Sequence, residues 1–150
     1  RNDYGEQKGF RLYFRKVGQK DMKSVVLCGS KRFKPEMRSF AAELKEAGVT
    51  VYEPYLHEGG DEWNKLSQEH KNFVALGLTH DHFYKISMAD IVFIYNKNGY
   101  SGNSTTLEIG YAVALGKPIY VISDNDEEIC RKVLFRGVIN KPAELLPFLN

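Results

Sequence analysis

The sequence predicts a three-layer α/β sandwich around a parallel sheet of about five strands, and three observations carry that prediction. Short apolar runs at 24–27, 91–95 and 119–122 alternate with segments of helical periodicity, the order that a parallel sheet covered on both faces requires. Helical segments end on stop signals, at Gly48 and at Gly116-Lys117-Pro118. A chain of 150 residues, 43% hydrophobic and 27% charged, suits one domain with one core.

Residues 1–23 carry seven Lys or Arg against three Asp or Glu, and only Phe10, Leu12 and Phe14 alternate as a short strand does. They read as a basic tail or an added edge element before a domain running over 24–150. The first strand, 24–27, enters Cys28-Gly29-Ser30-Lys31-Arg32. Gly29 permits close backbone approach, Ser30 offers a hydroxyl and Pro35 sits in the first turn of the next helix, so the turn suits a sugar or a phosphate and equally suits a plain turn. That helix places Met37, Phe40, Ala41 and Leu44 on one stripe for the core. A second strand covers 49–53. The loop at 55–61, with Gly59-Gly60, either closes over a ligand or turns the chain, and Trp63 either stacks on a base or packs.

Weak helical character over 63–77 gives way to a second short helix opened by Thr79, with His82, Ile86 and Ala89 on one face leading to Asp90. A metal is not expected from His80 and His82, because neighbours two apart on a helix point to different faces and no further ligand cluster is visible. The third strand, Ile91–Tyr95, runs into a Gly/Asn/Ser loop and then a helix with Glu108 in its first turn. Thr105-Thr106-Leu107-Glu108 fits a capping box, in which the glutamate serves the helix end. A carboxylate aimed into the crevice beyond the strands' carboxyl ends can instead act as nucleophile or base. A fourth strand at 119–122, the loop Ser123-Asp124-Asn125, a charged helix, a fifth strand at 137–139 and a closing helix at 141–149 complete the chain.

A net charge of +2 gives no reason to expect a nucleic acid polymer as partner. Two cysteines, Cys28 and Cys130, make no disulfide framework, and no apolar run approaches a bilayer span, so a cytoplasmic protein without a membrane partner is expected. Asn103-Ser104-Thr105 matches a glycosylation sequon and is read as chance.

Cys28-Gly29-Ser30, Ala89-Asp90, and the block Glu108-Ile109-Gly110-Tyr111-Ala112 followed by Gly116-Lys117-Pro118 resemble the nucleoside 2-deoxyribosyltransferase superfamily, which includes nucleoside 5′-monophosphate N-glycosidases. The resemblance spans about residues 24–122 and implies a flavodoxin- or Rossmann-like fold. It implies that Glu108 attacks the anomeric carbon and holds the sugar as an ester, that Cys28, Gly29, Ser30 and Asp90 belong to the substrate site, and that no cofactor is needed. It also implies a homo-oligomer in which the 123–125 loop reaches a neighbouring site. Two positions depart from the pattern. Relatives carry an aspartate eight residues before the one matching Asp90; here that position is His82, with Asp81 one earlier, so the proton-transfer or hydroxyl-binding role falls to either. Six residues before Glu108 stands Gly102, in place of a base-pairing aspartate or a phosphate-binding serine, leaving Asn103 and Ser104 to receive a sugar or a phosphate. The expectation is an enzyme of the N-glycosidic bond acting on a nucleoside or nucleotide, as hydrolase or transferase. The alternative is a non-catalytic nucleotide-binding module with Glu108 as a cap or ribose ligand.

Overall fold

The computed structural model describes residues 22–55 and 60–150. The expected strand around Phe10 to Phe14 lies outside the described residues, as does most of the 55–61 loop. Five strands, β1 (Val25–Gly29), β2 (Val51–Tyr52), β3 (Ile91–Tyr95), β4 (Ile119–Val121) and β5 (Gly137–Val138), form one parallel sheet in the order β2-β1-β3-β4-β5. The three-layer α/β expectation is therefore met. Among the described residues six α-helices accompany the sheet: α1 (Lys34–Glu46), α2 (Gly60–Lys65), α3 (Gln68–Met88), α4 (Asn103–Ala114), α5 (Ile129–Lys132) and α6 (Pro142–Leu149).

Strand alternation divides the core. Val25, Leu27, Ile91 and Phe93 face α1 and α6, where they meet Met37, Phe40, Leu44, Leu145 and Leu149. Phe40 stacks on Phe93 with ring centroids 4.4 Å apart. Val26, Cys28, Val92 and Ile94 face the other layer and pack with Ile86, Ile109 and Ala112 of α3 and α4. Both faces being covered, β3 is buried along its whole length, which is why its sequence reads as an unbroken apolar run.

Two helix boundaries correct the sequence reading. No helix begins at Thr79: α3 runs unbroken through Gly77 and Thr79, whose hydroxyl donates 2.8 Å back to the Ala75 carbonyl inside the helix. Its N-cap is Ser67, whose side chain accepts from the His70 amide. Nor does α4 carry a capping box. Gly102 is its N-cap, in extended geometry with ψ 175°, so Glu108 is the sixth residue of the helix and lies beyond the first turn. Among the described residues no helix is long and apolar enough to cross a membrane.

Candidate functional site

From β1 the chain steps outward to β2 and then crosses to β3 on the other side, so the loops leaving β1 and β3 diverge. A crevice at the carboxyl ends of the strands opens at such a switch point. On one side lie Gly29 and Ser30. A Cβ on Gly29 would stand 3.0 Å from both the Met37 sulfur and the Tyr95 carbonyl, so the glycine lets β1 end tightly against β3 and α1. The Ser30 hydroxyl accepts from the Arg32 amide at 3.4 Å and caps a 3-10 turn. Arg32 lies over the Tyr100 ring, 3.6 Å from its centroid, joining the two sides by a cation–π contact.

On the other side, the β3–α4 connection is fastened to the β4–α5 loop. Asn96, fully buried, donates to the Ser123 carbonyl at 2.8 Å and accepts from the Ser123 amide at 3.0 Å. Gly99 has φ +79°, and a Cβ there would lie 1.6 Å from the Asn125 carbonyl oxygen, so only glycine fits. Arg131 grips Asp126 with Nε and Nη2, the latter at 2.7 Å, and donates to the Thr106 hydroxyl at 3.2 Å. Ser123 and Asn125 thus serve their own chain's loop. Gly102, Asn103 and Ser104 open α4 between these fastenings; the first amides of a helix have no partner within it and suit an anionic or hydroxyl group.

Beneath this rim three side chains from three elements meet. His82 of α3 is 6% exposed and its Nε2 stands 3.3 Å from Cys28 Sγ and 3.6 Å from Glu108 Oε1. Cys28 is fully buried, and its thiol lies against both His82 Nε2 and the Glu108 carboxylate. Burial pushes Glu108 up to about 7, against the opposing hydrogen bond from Cys28. Burial likewise pushes His82 down to about 4, with Lys85 adding to the effect and Asp81 opposing it. The Cys28 thiol is raised well above its ordinary range, by burial first and by Glu108 second. A neutral imidazole beside a half-ionised carboxyl group is a polar contact, not an ion pair, so the 3.6 Å separation is no salt bridge at neutral pH. His82 Nδ1 is buried with no hydrogen-bond partner among the described residues.

The structure therefore separates the residues expected at the site. Between Asp81 and His82, the fold brings His82 to Glu108; Asp81 pairs with Lys85 one turn away at 2.6 Å. Asp90 is at the amino end of β3, away from the crevice, where its carboxylate accepts from the Ser24 amide at 2.7 Å and hydroxyl at 3.0 Å. Its role is to join the starts of β1 and β3, and the expected part in substrate binding is not supported. The reading that His82 has no ligand-type neighbours is also corrected, since Cys28 and Glu108 flank it from positions 54 and 26 residues away in sequence, which spacing within one helix never shows.

The family model for nucleoside 2-deoxyribosyltransferase matches residues 25–141. Among solved structures, the chain is similar to a 2-deoxyribosyltransferase from the psychrotolerant bacterium Bacillus psychrosaccharolyticus, at 18% identity and TM-score 0.56 over 81% of this chain and 89% of that one. It is also similar to a CMP N-glycosidase of Clostridium botulinum, at 22% identity and TM-score 0.49 over 85% and 98%. At so low an identity the first of these likenesses speaks for the fold alone. Compared with curated proteins, the chain finds no match.

Proposed function

The chain belongs to the nucleoside 2-deoxyribosyltransferase family, and from that premise we propose that it breaks the N-glycosidic bond of a nucleoside or nucleotide with Glu108 as nucleophile. The observation that carries the reading is where Glu108 lies: 15% exposed, at the carboxyl ends of β1 and β3, and free of any capping duty on α4. A glutamate held there by packing alone would be an expensive choice for a core position.

The carboxylate of Glu108 attacks the anomeric carbon as the bond to the base breaks, through an oxocarbenium-like transition state. The base leaves with the bonding electron pair and takes up a proton, and the sugar remains as an ester on Glu108. Attack on the same carbon by water, or by a second base, then frees the carboxylate. A group near pH 7 is ionised in a useful fraction of molecules and still basic enough to bond carbon. His82, neutral at this pH, serves as a hydrogen-bonding partner that orients Glu108 or a sugar hydroxyl rather than as an imidazolium acid. Gly29, Ser30, Gly102, Asn103 and Ser104 line the rim where the sugar and any 5′-phosphate would rest. The unit is proposed to be a homo-oligomer; Phe73 and Leu76 on the outer part of α3, 76% and 58% exposed, support a covering copy.

The test is release of free base from a panel of ribo- and deoxyribonucleosides and their 5′-monophosphates, alone and with a second base as acceptor. Loss of a covalent nucleophile costs about 10⁴-fold or more in turnover, so Glu108→Gln should abolish release. Equal release by both proteins would remove Glu108 from the chemistry. No release from any substrate, with nucleotide binding retained, would leave the binding-module reading.

A further inference from the structure

Cys28, His82 and Glu108 share a property that sugar transfer does not use. Each offers one atom able to ligate a metal, and the three atoms lie within 4.8 Å of one another. A tetrahedral zinc-type cation holds sulfur at about 2.3 Å and nitrogen or oxygen at about 2.0–2.1 Å, which sets its ligand atoms roughly 3.3–3.6 Å apart. The sulfur–nitrogen separation of 3.3 Å and the nitrogen–oxygen separation of 3.6 Å already have those dimensions. Because β1, α3 and α4 hold the residues through one buried cluster, the triangle is built into the core. Its donors, a thiolate, an imidazole and a carboxylate, favour thiophilic or borderline cations over magnesium and calcium, which take oxygen ligands. A dication also balances the two negative donors in a place where neither is cheap as a lone anion. Three protein ligands leave a fourth position open, as in zinc sites that hold a water or a small molecule.

We propose that Cys28, His82 and Glu108 form a binding site for a thiophilic divalent cation of the zinc type, and that the bound cation silences the site by engaging Glu108. The first half stands on the geometry alone; the second rests on the proposed role of Glu108 as nucleophile. On binding, the sulfur–hydrogen bond of Cys28 breaks, its proton and any proton on Glu108 go to solvent, and sulfur–metal, nitrogen–metal and oxygen–metal bonds form with no change of oxidation state. With its electron pair held by the metal, Glu108 no longer attacks carbon, and removal of the cation restores it.

The test uses the full chain carrying Cys130→Ser, which leaves Cys28 as the sole thiol of the sequence. Titration with Co²⁺ should give a near-ultraviolet sulfur-to-cobalt charge-transfer band together with the intense visible bands of a tetrahedral site, saturating at one equivalent. Adding His82→Ala should weaken cobalt binding by about 100-fold or more, beyond what loss of an outer-shell partner costs. Adding Cys28→Ser should remove the charge-transfer band. No charge-transfer band in the Cys130→Ser protein overturns the site, whether or not the protein has activity and whether or not the Cys28 variant folds. In the turnover arm, one equivalent of Zn²⁺ should stop base release and a chelator should restore it, while Mg²⁺ should do nothing. Full turnover by the cobalt-loaded protein overturns the silencing, and absence of turnover from metal-free protein refutes the glycosidic reading with the optical result standing.

Discussion

Glu108→Gln should alter how stability depends on pH more than it alters stability at neutral pH. Burial displaces Glu108 from 4.5 to about 7 and His82 from 6.5 to about 4, in opposite senses. Each displacement corresponds to about 3 kcal/mol, and with side chains only 15% and 7% exposed, solvent screening removes little of it. Between pH 4.5 and 7 the folded protein keeps a proton on Glu108 that the unfolded chain has lost, so this contribution is full below pH 4.5 and disappears as pH rises through about 7. Between pH 4 and 6.5 the unfolded chain protonates His82 while the fold keeps it neutral, so that contribution is full above pH 6.5 and disappears as pH falls through about 4. In the wild-type protein the two slopes oppose one another from about pH 4.5 to 6.5 and the curve is nearly flat. Glutamine removes one of them. The variant's unfolding free energy should then climb by about 3 kcal/mol from pH 4 to 6.5 while the wild type's does not. Urea denaturation followed by circular dichroism at half-unit intervals of pH measures both curves. Parallel curves for the two proteins, within about 1 kcal/mol throughout, would refute the opposed-burial account of this pair.

The remaining expectations concern rate, backbone and the residue beside His82. If ionised Glu108 is the nucleophile, kcat/KM for base release should rise with pH and level off above about 7; a flat profile from pH 5 to 8 would contradict it. Gly99→Ala forces a Cβ onto the Asn125 carbonyl at a positive φ and should lower stability by about 2–4 kcal/mol in chemical denaturation, and a loss below about 1 kcal/mol would mean that the two loops do not touch. Asp81→Asn breaks only a half-exposed pair with Lys85, so stability should change by less than about 0.5 kcal/mol and turnover by less than about twofold; a large loss of turnover would put Asp81 at the site in place of His82.

The layers and the central strands were legible because a strand buried on both faces must be apolar throughout, and Ile91–Tyr95 has no other reading. The stripe Met37, Phe40, Ala41 and Leu44 was legible for the same kind of reason, one face of a helix meeting one face of a sheet. Boundaries were harder. Thr105-x-x-Glu108 imitates a capping box, yet Gly102 starts α4 three residues earlier, and Thr105 is buried at 2% instead of capping. Gly77 and Thr79 look like a break in α3, but a threonine can bond its own helix's carbonyl, and this one does. Glu108, Cys28 and His82 were each singled out by motif, whereas their meeting at one point was found only by the fold. Strand alternation turns Cys28 away from the rim and toward α3, a fact of register that no local pattern contains. Asp90 shows the converse, a motif residue that the strand's direction carries to the amino ends of the strands.

The fastening of Asn96 to Ser123 and of Gly99 to Asn125 makes two loops into one inherited unit. Lengthening or exchanging the segment that carries Gly102, Asn103 and Ser104 drags on backbone some twenty positions later, and Arg131 extends the linkage to the start of α5. A change of substrate preference reached by loop grafting must therefore transplant both segments from the same donor. Under the proposed function, point changes at Asn103 and Ser104, exposed and outside the fastenings, would alter preference without dismantling the frame.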